Sequence, residues 1–306
     1  MTHADQNPSD PSEQRCGYVA IAGRPNVGKS TLLNAMLGQK LAITAHKPQT
    51  TRHQILGIRT VPEGQMVFID TPGIHRTMPK AINRYMNRVA RAVLQDVDVV
   101  AWVIDATHFG PDDEALGREL GRLNTPVVCV VNKVDLLADK QTLLQLAQRL
   151  SGEFGFDNIV MVSALKKKGL DELGERLLKL LPFSRPFFDE DELTDRSERF
   201  IAAEFVREQL IRRLHQELPY AATVEIEGFA REPNLVRIGA VIWVERSGQK
   251  GIVIGKGGAT LKEIGSSARS ALESFLGEKV FLELWVKVKK GWSDDERALQ
   301  SFGYVD

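Results

Sequence analysis

Gly23-Arg24-Pro25-Asn26-Val27-Gly28-Lys29-Ser30 follows Gly17-Tyr18-Val19-Ala20-Ile21-Ala22, a short apolar run of the kind a buried strand needs, and precedes Thr31–Leu37, which reads as a helix. Strand, glycine loop and helix in that order make a phosphate-binding loop. Its backbone N–H groups wrap a β-phosphate, and Gly23 and Gly28 lack the Cβ atoms that would block the approach. Lys29 adds a point charge, Ser30 offers a hydroxyl to Mg²⁺, and Thr31 opens a helix whose N-terminal dipole faces the anion. The stretch predicts an α/β unit, a mostly parallel sheet flanked by helices, that binds a nucleoside triphosphate.

Three further segments, met in order, select the nucleotide. Gln65–Asp70 reads as a strand ending in Asp70-Thr71-Pro72-Gly73, where the Asp70 carboxylate serves Mg²⁺ and the Gly73 N–H approaches a γ-phosphate. Val127–Val131 is continuously apolar, as in a strand buried on both faces, and delivers Asn132-Lys133-Val134-Asp135 at its carboxyl end. A carboxylate at Asp135 accepts both the N1–H and the N2 amino protons of guanine, whereas adenine presents an acceptor at N1. Buried hydrogen bonds of this type discriminate by roughly 10⁴-fold or more, so GTP is expected over ATP. Asn158–Val162 then leads to Ser163-Ala164-Leu165, whose backbone N–H groups are expected at the guanine O6.

These motifs resemble those of the translation-factor class of GTPases over roughly residues 16–182. After the Asp70–Gly73 motif stands Ile74, where the best-known small GTPases place a water-orienting glutamine, and a hydrocarbon side chain cannot do that work. Asn26 in the loop and Lys47-Pro48-Gln49-Thr50-Thr51-Arg52 resemble the branch activated by potassium. That resemblance implies a K⁺ ion held by Asn26 and backbone carbonyls, countering charge on the β–γ bridge as an arginine finger does elsewhere. Thr51 is the expected Mg²⁺-sensing hydroxyl, with Thr50 as the alternative, and Asn26 is alternatively a turn-stabilising residue. Lys29, Thr51, Asp70, Gly73 and Asn26 are the expected catalytic set.

At 306 residues the chain exceeds one such unit, and its 43% hydrophobic and 26% charged residues suffice for two packed cores. Forty basic and 40 acidic side chains cancel overall. Yet Arg246–Lys290 holds nine Lys/Arg against four Glu. Asp189-Glu190-Asp191-Glu192, after Pro182 and Pro186, reads as a solvated linker. Met1–Arg15 is polar without periodicity and reads as a disordered extension rather than a signal peptide. Apolar runs such as Val97–Ala106 are far shorter than the roughly 18 residues of a membrane span. Cys129, in a core strand, reads as packing rather than chemistry.

The second half carries Ile254-Gly255-Lys256-Gly257-Gly258, which fits the GxxG loop of KH domains, where missing side chains admit an RNA backbone and Lys256 meets phosphate. Ser197–Leu218 reads as an amphipathic helix, Thr223–Ala230 and Val236–Glu245 as strands, and a helix follows the loop to Gly277. Glu278–Lys290 alternates, with Val280, Leu282, Leu284, Val286 and Val288 on one face and Phe281, Glu283, Trp285, Lys287 and Lys289 on the other. Helix, strand, strand, GxxG helices, strand is the order of the prokaryotic, type II, α+β KH variant. Lys262, Lys287 and Lys289 join the loop as candidate RNA contacts, the last two on a face that is alternatively just solvated.

A GTPase unit without the glutamine, joined by a short linker to a carboxyl-terminal KH domain, resembles the Era family of bacterial GTPases over about residues 16–304. The resemblance implies a cytoplasmic, monomeric factor cycling between GTP and GDP with Mg²⁺, binding the 3′ end of small-subunit (16S) ribosomal RNA and assisting maturation of the 30S subunit. The expected boundaries are 1–15 extension, 16–182 GTPase, 183–196 linker, 197–292 KH domain and 293–306 tail. Two rival readings are an RNA-binding protein with a vestigial nucleotide fold, and a GTPase of the membrane surface or cell cycle in peripheral contact with the inner membrane face.

Overall fold

The computed structural model describes residues 14–45, 47, 50–73, 81–215 and 218–304. By their contacts these residues form two units, neither continuous in sequence. The first takes the chain to Gln39, then Ile55–Asp70 and Ala92–Asp195; the second takes Lys40–Gln54, Thr71–Arg91 and the chain from Arg196.

In the first unit, β1 (Arg15–Ala22), β2 (Ile55–Val61), β3 (Gly64–Asp70), β4 (Val99–Asp105), β5 (Val127–Asn132) and β6 (Ile159–Met161) form one sheet in the order β2-β3-β1-β4-β5-β6. Only β2–β3 pair antiparallel. Every residue of β3 and β4 is buried, which is what strands covered on both faces require and why they read as near-continuous apolar runs. The helices are α1 (Lys29–Leu37), α3 (Pro111–Leu120), α4 (Lys140–Phe154) and α5 (Leu170–Leu180), while α2 (Ala81–Val93) spans the boundary. Parallel pairing brings the carboxyl ends of β1, β3, β4 and β5 to one edge, where ligands of open α/β sheets bind.

The expected linker is not loose. Phe187 N and Phe188 N donate to Gln65 Oε1 (2.8 and 3.1 Å), Gln65 Nε2 donates to Phe188 O (2.9 Å), and Ile58 N donates to Leu193 O (2.8 Å). The acidic residues 189–192 stay exposed, as their charge demands, while the aromatic and apolar residues beside them fasten the segment to the first unit. Arg15 likewise belongs to β1, its N–H donating to Glu63 O (3.0 Å), rather than to an extension.

In the second unit, α6 (Glu198–Arg213) is capped by Ser197, whose hydroxyl accepts from Phe200 N (3.3 Å). Next come β7 (Ala222–Glu232), β8 (Leu235–Val244), α7 (Ser247–Ile254), α8 (Ala259–Leu276), β9 (Val280–Val288) and α9 (Glu296–Ser301). The sheet order is β7-β8-β9, with β7–β8 antiparallel and β8–β9 parallel. Its core packs Val206 and Leu210 of α6 against Ala240, Ile242 and Val286 of the sheet and Ile264 and Ala268 of α8.

The residues expected to form a tail form a packed element instead. Trp292, Ala298, Leu299 and Tyr304 share a buried cluster with Ala81, Ile82, Tyr85 and Met86 of α2. Asp294 Oδ1 accepts from Ala81 N (2.9 Å), holding the start of that helix. Among the described residues no helix is long and apolar enough to cross a membrane.

Candidate nucleotide and RNA sites

The phosphate loop joins β1 to α1. Gly23 sits at φ 150° and Gly28 at φ 102°, both in the region that favours glycine. The need for glycine is as much internal as for the ligand. A Cβ on Gly23 would lie 2.4 Å from Val103 O, and one on Gly28 would lie 2.4 Å from Asn132 Nδ2. Pro25 and the fully buried Val27 lie in the loop, and α1 begins at Lys29, two residues before the expected Thr31, so that Ser30 and Thr31 stand in its first turn. Lys29 is buried and donates to Gly23 O (2.9 Å) and Arg24 O (3.1 Å). Burial pushes its ammonium down to about 8.

Ser30 Oγ donates to Asp70 Oδ2 at 2.7 Å, so the two expected Mg²⁺ groups already converge. A hydroxyl and a carboxylate are the hard oxygen donors this ion takes alongside substrate phosphates. Among the described residues no group of three or more His, Cys, Asp or Glu is placed to hold a metal.

Asn132 ties the phosphate loop to the base-reading loop. Its Nδ2 donates to Val27 O (2.9 Å) and its Oδ1 accepts from Ala164 N (3.0 Å). Lys133, at φ 65°, donates to Asn26 O (2.7 Å) and to Asp105 Oδ2 (2.7 Å). Burial pushes the Asp105 carboxyl up, but the Lys133 ammonium and the Thr107 donors outweigh it and hold the group below the usual carboxylate range. The Asp135 carboxylate is exposed at the start of the turn after β5, and its Oδ1 accepts from Ser163 Oγ (2.5 Å). Ser163 N donates to Lys168 O (3.0 Å), so with Ala164 N turned to Asn132 two of the three N–H groups expected at the guanine O6 are engaged within the protein. Leu165 is 73% exposed.

Two carboxylates of this edge escape a reading by motif. Asp105 ends β4 as Asp70 ends β3, a position at the carboxyl end of a parallel strand that marks both. Asp113, fully buried, accepts from Arg24 Nε (2.9 Å) and Gly110 N (3.1 Å), fixing the phosphate loop to the start of α3. Asn26 is exposed at φ 64°, a conformation that asparagine tolerates.

Thr51, Thr71, Pro72 and Gly73 belong by their contacts to the second unit, and Ile74, Pro48 and Gln49 lie outside the described residues. The 40–54 segment is bound to α6 and to the start of β7. The fully buried Glu208 carboxylate accepts from Thr44 N (2.9 Å), Arg212 Nη2 (3.0 Å) and Lys40 Nζ. Lys47 Nζ donates to Ile211 O (2.6 Å) and Leu214 O at the end of α6. Arg207, paired with Glu204 (2.6 Å), donates to Thr50 O (2.5 Å). Arg52 donates to Ala222 O and Pro219 O (both 2.9 Å).

The RNA-side loop joins α7 to α8. Gly255, Gly257 and Gly258 all have positive φ (75°, 60° and 80°), and a Cβ on Gly255 would lie 2.2 Å from Thr260 Oγ1. Ile254 packs into the core beneath the loop while Lys256 is exposed above it. Beside the loop a cleft of about 480 Å³ is lined by Gly258, Leu261, Lys262, Arg269, Leu282 and Leu284. Lys287 and Lys289 are not part of it: alternation along β9 puts them on the face opposite Leu282 and Leu284. There Lys287 pairs with Glu227 (2.6 Å), and Lys289 donates to Ser301 Oγ (3.2 Å) with its ammonium 4.4 Å from the Phe302 ring centre.

With this geometry the comparisons with known proteins agree. The family described as 50S ribosome-binding GTPase matches residues 18–133, and the KH domain family matches residues 217–293. GTPase Era of Xanthomonas oryzae pv. oryzae is 57% identical over 96% of this chain and 98% of its own length. GTPase Era of Stenotrophomonas maltophilia is 55% identical over 97% and 99%. Two solved structures superpose with a TM-score of 0.92 over 96% of this chain and all of theirs: a point variant of Aquifex aeolicus Era bound to GDP·AlF4⁻ (40% identical), and Era in complex with MgGDPNP and nucleotides 1506–1542 of 16S ribosomal RNA (41% identical).

Proposed function

The chain belongs to the Era family of GTPases, and from that premise we propose that it is a GTP-driven switch that seats the 3′ end of 16S ribosomal RNA on its KH domain and assists maturation of the 30S subunit. The observation that carries the reading is the division of contacts. The described residues of 40–54 and 71–91 flank the Asp70 strand in sequence, yet they pack with the RNA-side elements.

Each residue has a place in the cycle. Loop N–H groups and the α1 N-terminus cradle the phosphates. Lys29, now spending its hydrogen bonds on two carbonyls of its own loop, transfers them to phosphate oxygens. Ser30 and Asp70 would hold Mg²⁺, with Thr51 as the third expected contact, and the ion would supply charge neutralisation to the phosphates. Asp135, oriented by Ser163, reads the N1–H and N2 edge of guanine. Water attacks the γ-phosphorus in line and GDP leaves, with no side chain at Ile74 to orient that water. Asn26 would hold K⁺, which would supply the missing positive charge. Lys256 and the glycines around it clamp the RNA backbone, and the cleft lined by Leu282 and Leu284 receives bases.

Crosslinking the protein to RNA in cells and sequencing what is bound tests the RNA target; recovery dominated by other RNAs overturns it. Replacing Na⁺ by K⁺ at fixed ionic strength should accelerate hydrolysis, from a rate of roughly 10⁻⁴ to 10⁻² per second, and Asn26→Ala should erase the difference while GTP still binds. Equal rates in the two salts would sink the potassium role. Co-sedimentation with anionic liposomes in preference to RNA would favour the membrane-surface reading.

A further inference from the structure

The RNA-side unit has a second groove, on the opposite flank of α8 from the KH cleft. It is about 600 Å³ and lies between α6 and α8, with Lys40, Arg212 and Arg213 facing Ser267, Ser270 and Ser274. The three serines recur at helical spacing and share one face of α8. Arg213 bridges the helices, donating to Ser267 Oγ (2.6 Å) and Gln209 Oε1 (2.6 Å). A further cavity of about 320 Å³ lies at the GxxG end of the same helix, with the apolar Leu214, Leu218 and Ile252 beside Arg213, Gln249 and Thr260. Arg213 lines both, so its guanidinium stands between the groove and the largely apolar cavity at the loop end.

The chemistry of the two flanks differs. The KH cleft offers Leu261, Leu282 and Leu284 to bases, whereas the side chains lining this groove, Ala271 apart, end in guanidinium, ammonium, amide and hydroxyl groups. Of the three cations, Lys40 and Arg212 share the one buried carboxylate of Glu208; Glu263 is 3.9 Å from Arg213 and largely exposed. The surface is therefore rich in donors and net positive, which suits phosphodiester oxygens.

Resting on the reading that the GxxG loop clamps RNA, we propose that the α6–α8 groove holds the phosphate backbone of the RNA flanking the clamped segment, extending the footprint beyond the KH cleft to Lys40 of the 40–54 segment. A KH loop grips about four nucleotides, so oligonucleotides of about four and about twelve nucleotides from the rRNA 3′ end separate the two surfaces. Ser270 and Ser274 are exposed, and Ser270→Glu with Ser274→Glu adds charge without disturbing the core. This double variant should bind the short RNA as the parent does and the long RNA at least tenfold more weakly. Arg212→Gln should lower the salt slope for the long RNA by about one and leave the short one unchanged. Equal affinity of parent and double variant for the long RNA overturns the groove, and so does an equal loss at both lengths. Loss of binding to phosphatidylglycerol vesicles with RNA binding intact assigns the groove to lipid headgroups and overturns it as well. If the parent binds neither RNA, the KH reading falls and this proposal with it; if Lys256→Asp with Gly257→Asp abolishes both lengths while the groove variants change nothing, only the groove falls.

Discussion

Lys29 is buried against two carbonyls of its own loop, and that environment makes nucleotide affinity depend on pH. With its ammonium held near 8 in the free protein, phosphate must raise it, so binding takes up a proton wherever the free site has lost one. Affinity for GTP should be flat below about pH 8 and then fall by up to tenfold per pH unit; fluorescent-nucleotide titrations between pH 7 and 9.5 read this, and a flat profile contradicts it. Asp135→Asn tests the base reader separately. An amide complements the N1–H and O2 edge of xanthine, so this variant should lose GTP and gain xanthosine triphosphate, and competition binding that still favours GTP would remove Asp135 from its role. Of this candidate site the glycines, Lys29, Ser30, Asp70 and Asp135 could be proposed from sequence because a phosphate loop and a base-reading loop are defined by short spacings. Asp105 and Asp113 could not: each acts on a residue some 28 and 89 positions away, a proximity created only by the sheet.

At the scale of elements, the 40–54 segment shows how a polar stretch with no periodicity becomes fixed. Its described residues make no helix or strand, and their order comes from partners on α6, β7 and the chain after α9, so nothing local announced it. His53 is the most pH-sensitive of these contacts. Its ring stacks on Tyr304 (centroids 4.3 Å) and meets the edge of Phe200 (5.3 Å), and burial pushes it down to about 4, despite the Glu204 carboxylate pulling the other way. The sign comes from linkage. Above about pH 6.5 the ring is neutral folded or unfolded; between about 6.5 and 4 the unfolded chain binds a proton that the folded one refuses, so stability falls as pH drops through that window. The loss approaches about 3 kcal/mol at its lower end, at 1.36 kcal/mol per pH unit. Urea denaturation followed near Trp292 should show it, and His53→Phe, which keeps the aromatic packing, should flatten the profile over that window. An unchanged slope in the variant would move the effect to other groups.

For the whole molecule, the domain count and the order of elements were legible from motifs and alternation, but the boundaries were not. The described residues of 40–54 and 71–91 belong by their contacts to the second unit although the GTPase sequence surrounds them, and Ala298, Leu299 and Tyr304 of the supposed tail pack against α2 beside Trp292. Linear reading assigns a segment to the motifs beside it, whereas burial assigns it to the surface it covers. That exchange suits the proposed switch: Thr51 and Gly73, the residues expected to meet Mg²⁺ and the γ-phosphate, belong by their contacts to the unit that carries the KH elements. Coupling of this kind is reciprocal. If GTP raises affinity for RNA by some factor, RNA raises affinity for GTP by the same factor, and roughly 5- to 150-fold corresponds to the usual 1–3 kcal/mol. Titrating a labelled rRNA 3′-end oligonucleotide against the GDP-bound and GDPNP-bound protein measures the first factor, and nucleotide titrations with and without RNA measure the second. Arg207→Gln, which weakens the hold of α6 on Thr50 O, should shrink both factors together while leaving hydrolysis in the absence of RNA within a few-fold of the parent. Equal RNA affinity in the two nucleotide states would mean that the shared contacts transmit nothing, and unequal factors in the two directions would show that one titration had not reached equilibrium.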